Sequence, residues 1–148
     1  TKLYGNATPI IRYNGMNDFV IPIAAKCSCG INSPLIEKVA GRMVDALVMP
    51  SGKIIPPFAV TGIPAKVMER MGSKIVHQFQ IVQEKIDEIN VYLVMEGNEE
   101  EKNRIMKEIK RDFEKKIGEE VKINVFEVDE IKSDTLIPRE VISKVKIN

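Results

Sequence analysis

Between Asn98 and Gly118 the chain carries its strongest constraint. Ile105, Ile109, Phe113 and Ile117 recur every four residues, with Met106 beside them. That spacing winds one apolar stripe along a helix, and a striped helix must bury its stripe against another element. The helix ends are written locally. Asn98 is a cap, Glu99, Glu100 and Glu101 complement the positive N-terminal end, Lys115 and Lys116 occupy the last turn, and Gly118 stops it. On either side the period changes to two. Ile75, His77, Phe79 and Ile81 alternate with more polar residues, Glu84–Glu88 turns the chain, and Ile89, Val91, Leu93 and Met95 alternate again. Val121, Ile123 and Val125 follow the helix as a final strand. A second helix is expected over about Thr61–Met71, with Thr61 as N-cap, Pro64 tolerated in the first turn and Gly72 as the stop. The predicted fold is α+β: a small mixed, mostly antiparallel sheet with helices on one face, preceded by a short β-rich segment.

That preceding segment, residues 1–40, reads differently. Gly5, Pro9, Gly15, Pro22, Gly30 and Pro34 punctuate short apolar runs, of which Ile10–Tyr13 and Phe19–Ile21 read as strands around the turn Asn14–Asn17. So little chain cannot bury much on its own. It is expected to pack on something else, and two copies could pair through it as a homodimer. From residue 41 to 148 the pattern is regular. It opens with Arg42–Met49 and Lys53–Ile55 around Pro50-Ser51-Gly52, a hairpin signal.

Size and charge remove several functional classes. The 148 residues fit one domain, or a small domain with an added segment. Twenty-two basic residues balance 21 acidic ones, so bulk charge gives no basis for a nucleic-acid partner. No apolar run approaches the roughly 20 residues that cross a bilayer, so no membrane is expected. Thr1-Lys2-Leu3-Tyr4-Gly5 lacks the layout of a signal peptide. Cys27 and Cys29 are the only cysteines and stand too close to staple a fold without strain, which reads as a reducing, cytoplasmic setting.

Two segments carry chemistry. Thr8-Pro9-Ile10-Ile11-Arg12-Tyr13-Asn14-Gly15-Met16-Asn17-Asp18 resembles the T-P-L-I-R-Y-x-x-G-D segment of phenylacetate–CoA ligases, which are adenylate-forming enzymes. In that family the final aspartate accepts hydrogen bonds from both ribose hydroxyls of ATP, and a carboxylate offers two acceptors to two adjacent donors. Asp18 is the matching position, although Gly15 comes early and Asn17 precedes Asp18, which makes the loop one residue longer than the family's. The alternative for Asp18 is an Asx turn between strands. Gly41-Arg42-Met43-Val44-Asp45 resembles the family's G-R-x-D-D, with Val44 at the first acidic position. The resemblance implies that Arg42 reaches the nucleotide and Asp45 is the hinge of a mobile C-terminal domain. The hairpin after it, around Ser51, Gly52 and Lys53, would approach the pantetheine arm of CoA. Gln78-Phe79-Gln80-Ile81-Val82 and Cys27-Ser28-Cys29-Gly30 also resemble stretches of the phenylacetate–CoA ligase-like group, which includes coenzyme F390 synthetase-like and capsule-biosynthesis-type relatives.

The resemblance implies the tail of a larger acid–thiol ligase that converts a carboxylic acid and ATP, with Mg2+, to an acyl-AMP and then to a CoA thioester. Residues 1–40 would end the large N-terminal adenylation domain, and 41–148 would be the mobile domain. The chain alone would be inactive. The family's catalytic lysine normally sits in a P-x-x-x-G-K segment, absent here. Aligning the closing Val141-Ile142 puts Ile137 at the lysine position, whereas aligning Pro138-Arg139 brings Lys144 close to it. Cys27 and Cys29 could supply two of the four donors that a Zn2+ site requires. The competing reading is a non-catalytic ferredoxin-like or ACT-like module that binds a small ligand or dimerises, since a strand–strand–helix–strand order serves many functions.

Overall fold

The computed structural model describes residues 18–23, 25, 27–30, 34–42, 45–118, 120–133 and 139–145. The expected strand Ile10–Tyr13, the turn at Asn14–Asn17, and Ile137 lie outside the described residues. β1 (Asp18–Ile23) and β2 (Leu35–Arg42) form an antiparallel ribbon. β2 crosses the boundary expected at residue 40. β3 (Leu47–Val48) and β4 (Ile54–Ile55) make the expected hairpin, shorter than predicted because Arg42 belongs to β2.

The single helix expected from Thr61 is instead two. α1 spans Phe58–Thr61 and α2 spans Ile63–Met71, and Thr61 is the last residue of α1. Gly62 joins them, and Pro64 lies in the first turn of α2, where a missing N–H costs nothing. Gly72 stops α2 in the left-handed region, φ +64°, as expected. β5 (Val76–Lys85), β6 (Glu88–Met95), α3 (Glu99–Ile117), β7 (Lys122–Glu127) and β8 (Val141–Ser143) complete the order. The ends of α3 fall where the sequence puts them. Asn98 Oδ1 accepts from the Glu101 N–H at 2.8 Å, and Gly118 adopts φ +67°.

The main sheet runs β7-β6-β5-β8. It is mixed, as predicted, but within it the mostly antiparallel expectation needs amending. Only β5–β6 is antiparallel, and both edge strands join in parallel. The α3 crossover returns the chain beside β6 in the same direction, and β8 arrives by another long connection. Ile89, Val91, Leu93 and Met95 project from β6 into the core, opposite the wet alternate positions. The α3 stripe covers them, with Ile105, Ile109 and Phe113 wholly buried and Ile117 nearly so. Each such side chain contributes about 1.5–3 kcal/mol on leaving water. α2 adds Ile63 and Val67 to the same core. Its Arg70 reaches across to Glu108 and Asp112 of α3, at 3.0 and 2.9 Å.

Candidate functional site

The ribbon brings the two segments of interest together. Asp18 and Arg42 are 24 positions apart in the chain yet are cross-strand partners on the β1–β2 ladder. Such partners lie about 5 Å apart, Cα to Cα. The register shifts between Asp18 and Val20, so the pair sits at an irregular end of the ladder.

Asp45 stands where the ribbon gives way to the packed body, directly before the buried Ala46 and Leu47. Its side chain is mostly enclosed. Its Oδ1 has Arg139 Nη1 at 3.8 Å, a charge contact too long for a hydrogen bond. Among the described residues Oδ1 has no hydrogen-bond partner. A buried acceptor left this way costs about 1–3 kcal/mol. The position is therefore not fully satisfied in this arrangement of the chain.

The hairpin loop is tightly made. The Met49 N–H donates to Lys53 O and the Gly52 N–H to Met49 O, each at 2.8 Å, while the Lys53 N–H reaches Ser51 Oγ at 3.3 Å. Gly52 has φ +82°, a conformation that any Cβ would strain. Ser51, Gly52 and Lys53 are all exposed at the tip.

Behind this hairpin lies a residue that sequence reasoning overlooked. Gln83 is wholly buried, and both atoms of its amide are hydrogen-bonded. Oε1 accepts from the Val48 N–H and from Ser143 Oγ, both at 2.9 Å, and Nε2 donates to Val48 O at 2.6 Å. One side chain thus ties β3 and β8 to β5. The signal was present: the parity that sends Phe79 and Ile81 inward also sends Gln83 inward. A polar residue at an inward position implies buried partners.

The remaining candidates disperse. Lys144 donates to both oxygens of Glu84, at 2.9 and 2.6 Å, on the exposed edge beyond β8. His77 is exposed beside Glu96, off the inward parity that Ile75, Phe79 and Ile81 suggest, because the ladder shifts register between Val76 and Gln78. Cys27 Sγ and Cys29 Sγ lie 2.7 Å apart in the connection between β1 and β2. Among the described residues no three His, Cys, Asp or Glu side chains gather to hold a metal. No helix among them is long and apolar enough to cross a membrane.

A family model described as the CapK C-terminal domain matches residues 47–136, more than half of the chain. No curated protein matches the sequence. A solved structure of 2-hydroxyisobutyryl-CoA ligase, in an open conformation in complex with 2-HIB-AMP and CoA, is similar over 85% of this chain. The TM-score is 0.50 and the identity 17%. The chain spans 27% of that ligase's length. At this identity the likeness concerns the fold alone, an α+β arrangement with a mixed sheet.

Proposed function

Because the chain belongs to the CapK C-terminal domain family, we propose that it is the C-terminal part of an ATP-dependent acyl- or aryl-CoA ligase. The whole enzyme condenses a carboxylic acid with ATP, supplied as its Mg2+ complex, to acyl-AMP and pyrophosphate. The CoA thiol then displaces AMP to give the thioester. Residues 1–40 close the large adenylation domain, and residues 41–148 form the domain that swings between the two half-reactions.

The pairing of Asp18 with Arg42 carries this reading. It brings the two chain positions that the resemblance assigns to the nucleotide onto one ladder. Asp18 accepts from the ribose and Arg42 reaches the nucleotide. The state of Asp45 supports its assignment as the hinge. An enclosed oxygen without a hydrogen bond favours any rotation that supplies one. Ser51, Gly52 and Lys53 form the exposed tip that approaches the pantetheine arm, and the Gln83 clamp makes that tip move with the sheet. Lys144 is the candidate for neutralising charge on the α-phosphate, and its pair with Glu84 has to open first.

The test is a panel of carboxylic acids on the longer protein that carries this domain, reading pyrophosphate release with and without CoA. Acid-dependent release is expected. Asp18→Asn should weaken it by about 10- to 100-fold, the worth of a hydrogen bond to a charged group. A folded protein that forms no adenylate with any acid, and binds no ATP, would overturn the reading.

A further inference from the structure

We propose that Gln83 is a positioning residue for both half-reactions, because one buried amide sets the CoA-facing hairpin and the Lys144 end of β8 against each other. The proposal rests on the ligase reading above and adds a residue outside the motifs that carry it.

Toward the hairpin, the Gln83 amide behaves as a one-residue strand. The Met49 N–H donates to Lys53 O at 2.8 Å, so the N–H and C=O of the preceding Val48 turn the opposite way, toward β5. There Gln83 Nε2 donates to Val48 O at 2.6 Å, while Oε1 accepts from the Val48 N–H at 2.9 Å. A neighbouring antiparallel strand exchanges this same pair of bonds with a single residue. The grip lies one residue from the tip, where Met49 O accepts from the Gly52 N–H at 2.8 Å.

The same residue holds the tail. Oε1 also accepts from Ser143 Oγ at 2.9 Å, and Gln83 O accepts from the Lys144 N–H at 3.0 Å. Gln83 has no exposed surface, so water does not compete for these bonds. An apolar residue at this inward position would fill the space, as Ile81 does, and supply none of the three side-chain bonds. In the proposed cycle Ser51, Gly52 and Lys53 serve thioester formation and Lys144 serves adenylation. One side chain therefore sets the geometry of both. Misplacing a reacting group by about 1 Å can cost roughly 100-fold in rate.

The experiment uses the longer protein that carries this domain, with the acid that the substrate panel identifies. Two stages are read separately: pyrophosphate release from acid and ATP, and thioester formation from preformed acyl-AMP and CoA. Gln83→Leu should slow each stage by about 10- to 100-fold and raise the KM for CoA. Ser143→Ala releases only the β8 arm. It should slow adenylation by about 10-fold and leave the KM for CoA at the wild-type value. Variants and wild type are compared at a temperature where circular dichroism shows all of them folded. A merely structural role predicts lower unfolding temperatures with unchanged rates, and that result would overturn the proposal. So would Gln83→Leu protein impaired in one stage alone, or Ser143→Ala protein impaired in its use of CoA. Should Gln83→Leu fail to fold, the split expected of Ser143→Ala decides by itself. Wild-type protein that forms no acyl-AMP with any acid would sink the ligase reading and this inference with it, whereas active wild type with unaffected variants would sink this inference alone.

Discussion

The ribbon of residues 18–42 and the body of residues 45–145 solve the burial problem in opposite ways. The body buries a large apolar core, with Leu47, Ile81, Ile89, Leu93, Ile105, Ile109 and Phe113 at 0% exposure, although Phe58, Ile86 and Phe126 stay exposed at its surface. The ribbon leaves Val20, Ile23, Ile36 and Val39 between 40% and 57% exposed. A two-stranded ribbon has one layer and cannot shield both of its faces. The body has a sheet, a helix layer and a clamp, and holds together by itself. The ribbon's ladder sets the spacing of Asp18 and Arg42, but its apolar faces await a surface. That division is compatible with the proposed hinge between two domains and does not by itself establish it.

The contrast can be broken most forcefully by equal truncations in the two regions. Phe113→Ala should cost about 3–5 kcal/mol, because it empties the centre of the α3 stripe. Ile36→Ala should change stability by less than about 0.5 kcal/mol, because that side chain is already largely in water. Urea unfolding of both variants measures the difference. Comparable losses would mean that the ribbon is as fully packed as the body.

Gln83→Leu tests what makes the body a unit. Leucine fills the space but leaves the Val48 N–H and C=O without the Gln83 amide, and Ser143 without that acceptor. About 2–6 kcal/mol should be lost, at roughly 1–3 kcal/mol for each of the two Val48 groups, since Ser143 Oγ can still donate to Val145 O. Hydrogen exchange should locate the damage at Val48, with α3 keeping its protection. Uniform loss of protection would mean that the hairpin is not a separate attachment.

How far the sequence exposed these features follows from the reach of each determinant. α3 was legible end to end, because its cap, its stripe and its stop lie within one stretch of chain. β8 was not, because Val141-Ile142-Ser143 is a strand only by pairing with β5, about 60 residues earlier. The same distance hid the parallel edges and the partners of Gln83. The break between α1 and α2 was missed because Thr61 and Gly62 each suit a helix start, and only packing decides which one serves. For the site, the order of motifs pointed to Asp18, Arg42 and Asp45. Their motifs did not predict the ladder that pairs the first two, nor the Arg139 contact from the far end of the chain.

A smaller effect sharpens the account of α3. Asn98→Ala removes the side chain that accepts the Glu101 N–H and should cost about 1 kcal/mol, whereas Asn98→Gly should cost only a few tenths. Thermal unfolding resolves the pair. Equal costs would move the origin of the effect from the cap to contacts of the Asn98 side chain elsewhere.

The smallest expected effect lies on the body's surface and depends on pH. Arg70 of α2 donates to both oxygens of Asp112 on α3, at 2.9 and 3.3 Å. These bonds, more than any other influence, hold the Asp112 carboxyl below its usual value of 3.8, and partial burial works against them. A carboxyl whose folded value lies below its unfolded one stabilises the fold fully above the unfolded value. That stabilisation disappears as pH falls through the folded value. Wild type and Arg70→Met should therefore differ by a constant amount near neutrality, and the difference should close below about pH 3.8. The difference should be small and should shrink with salt, because Arg70 is 45% exposed and solvent screens the pair. Urea midpoints measured from pH 2 to pH 7 would show it. A gap that stays open at the acid end would assign the contribution of Arg70 to its methylene stem packing across the α2–α3 seam and not to its charge.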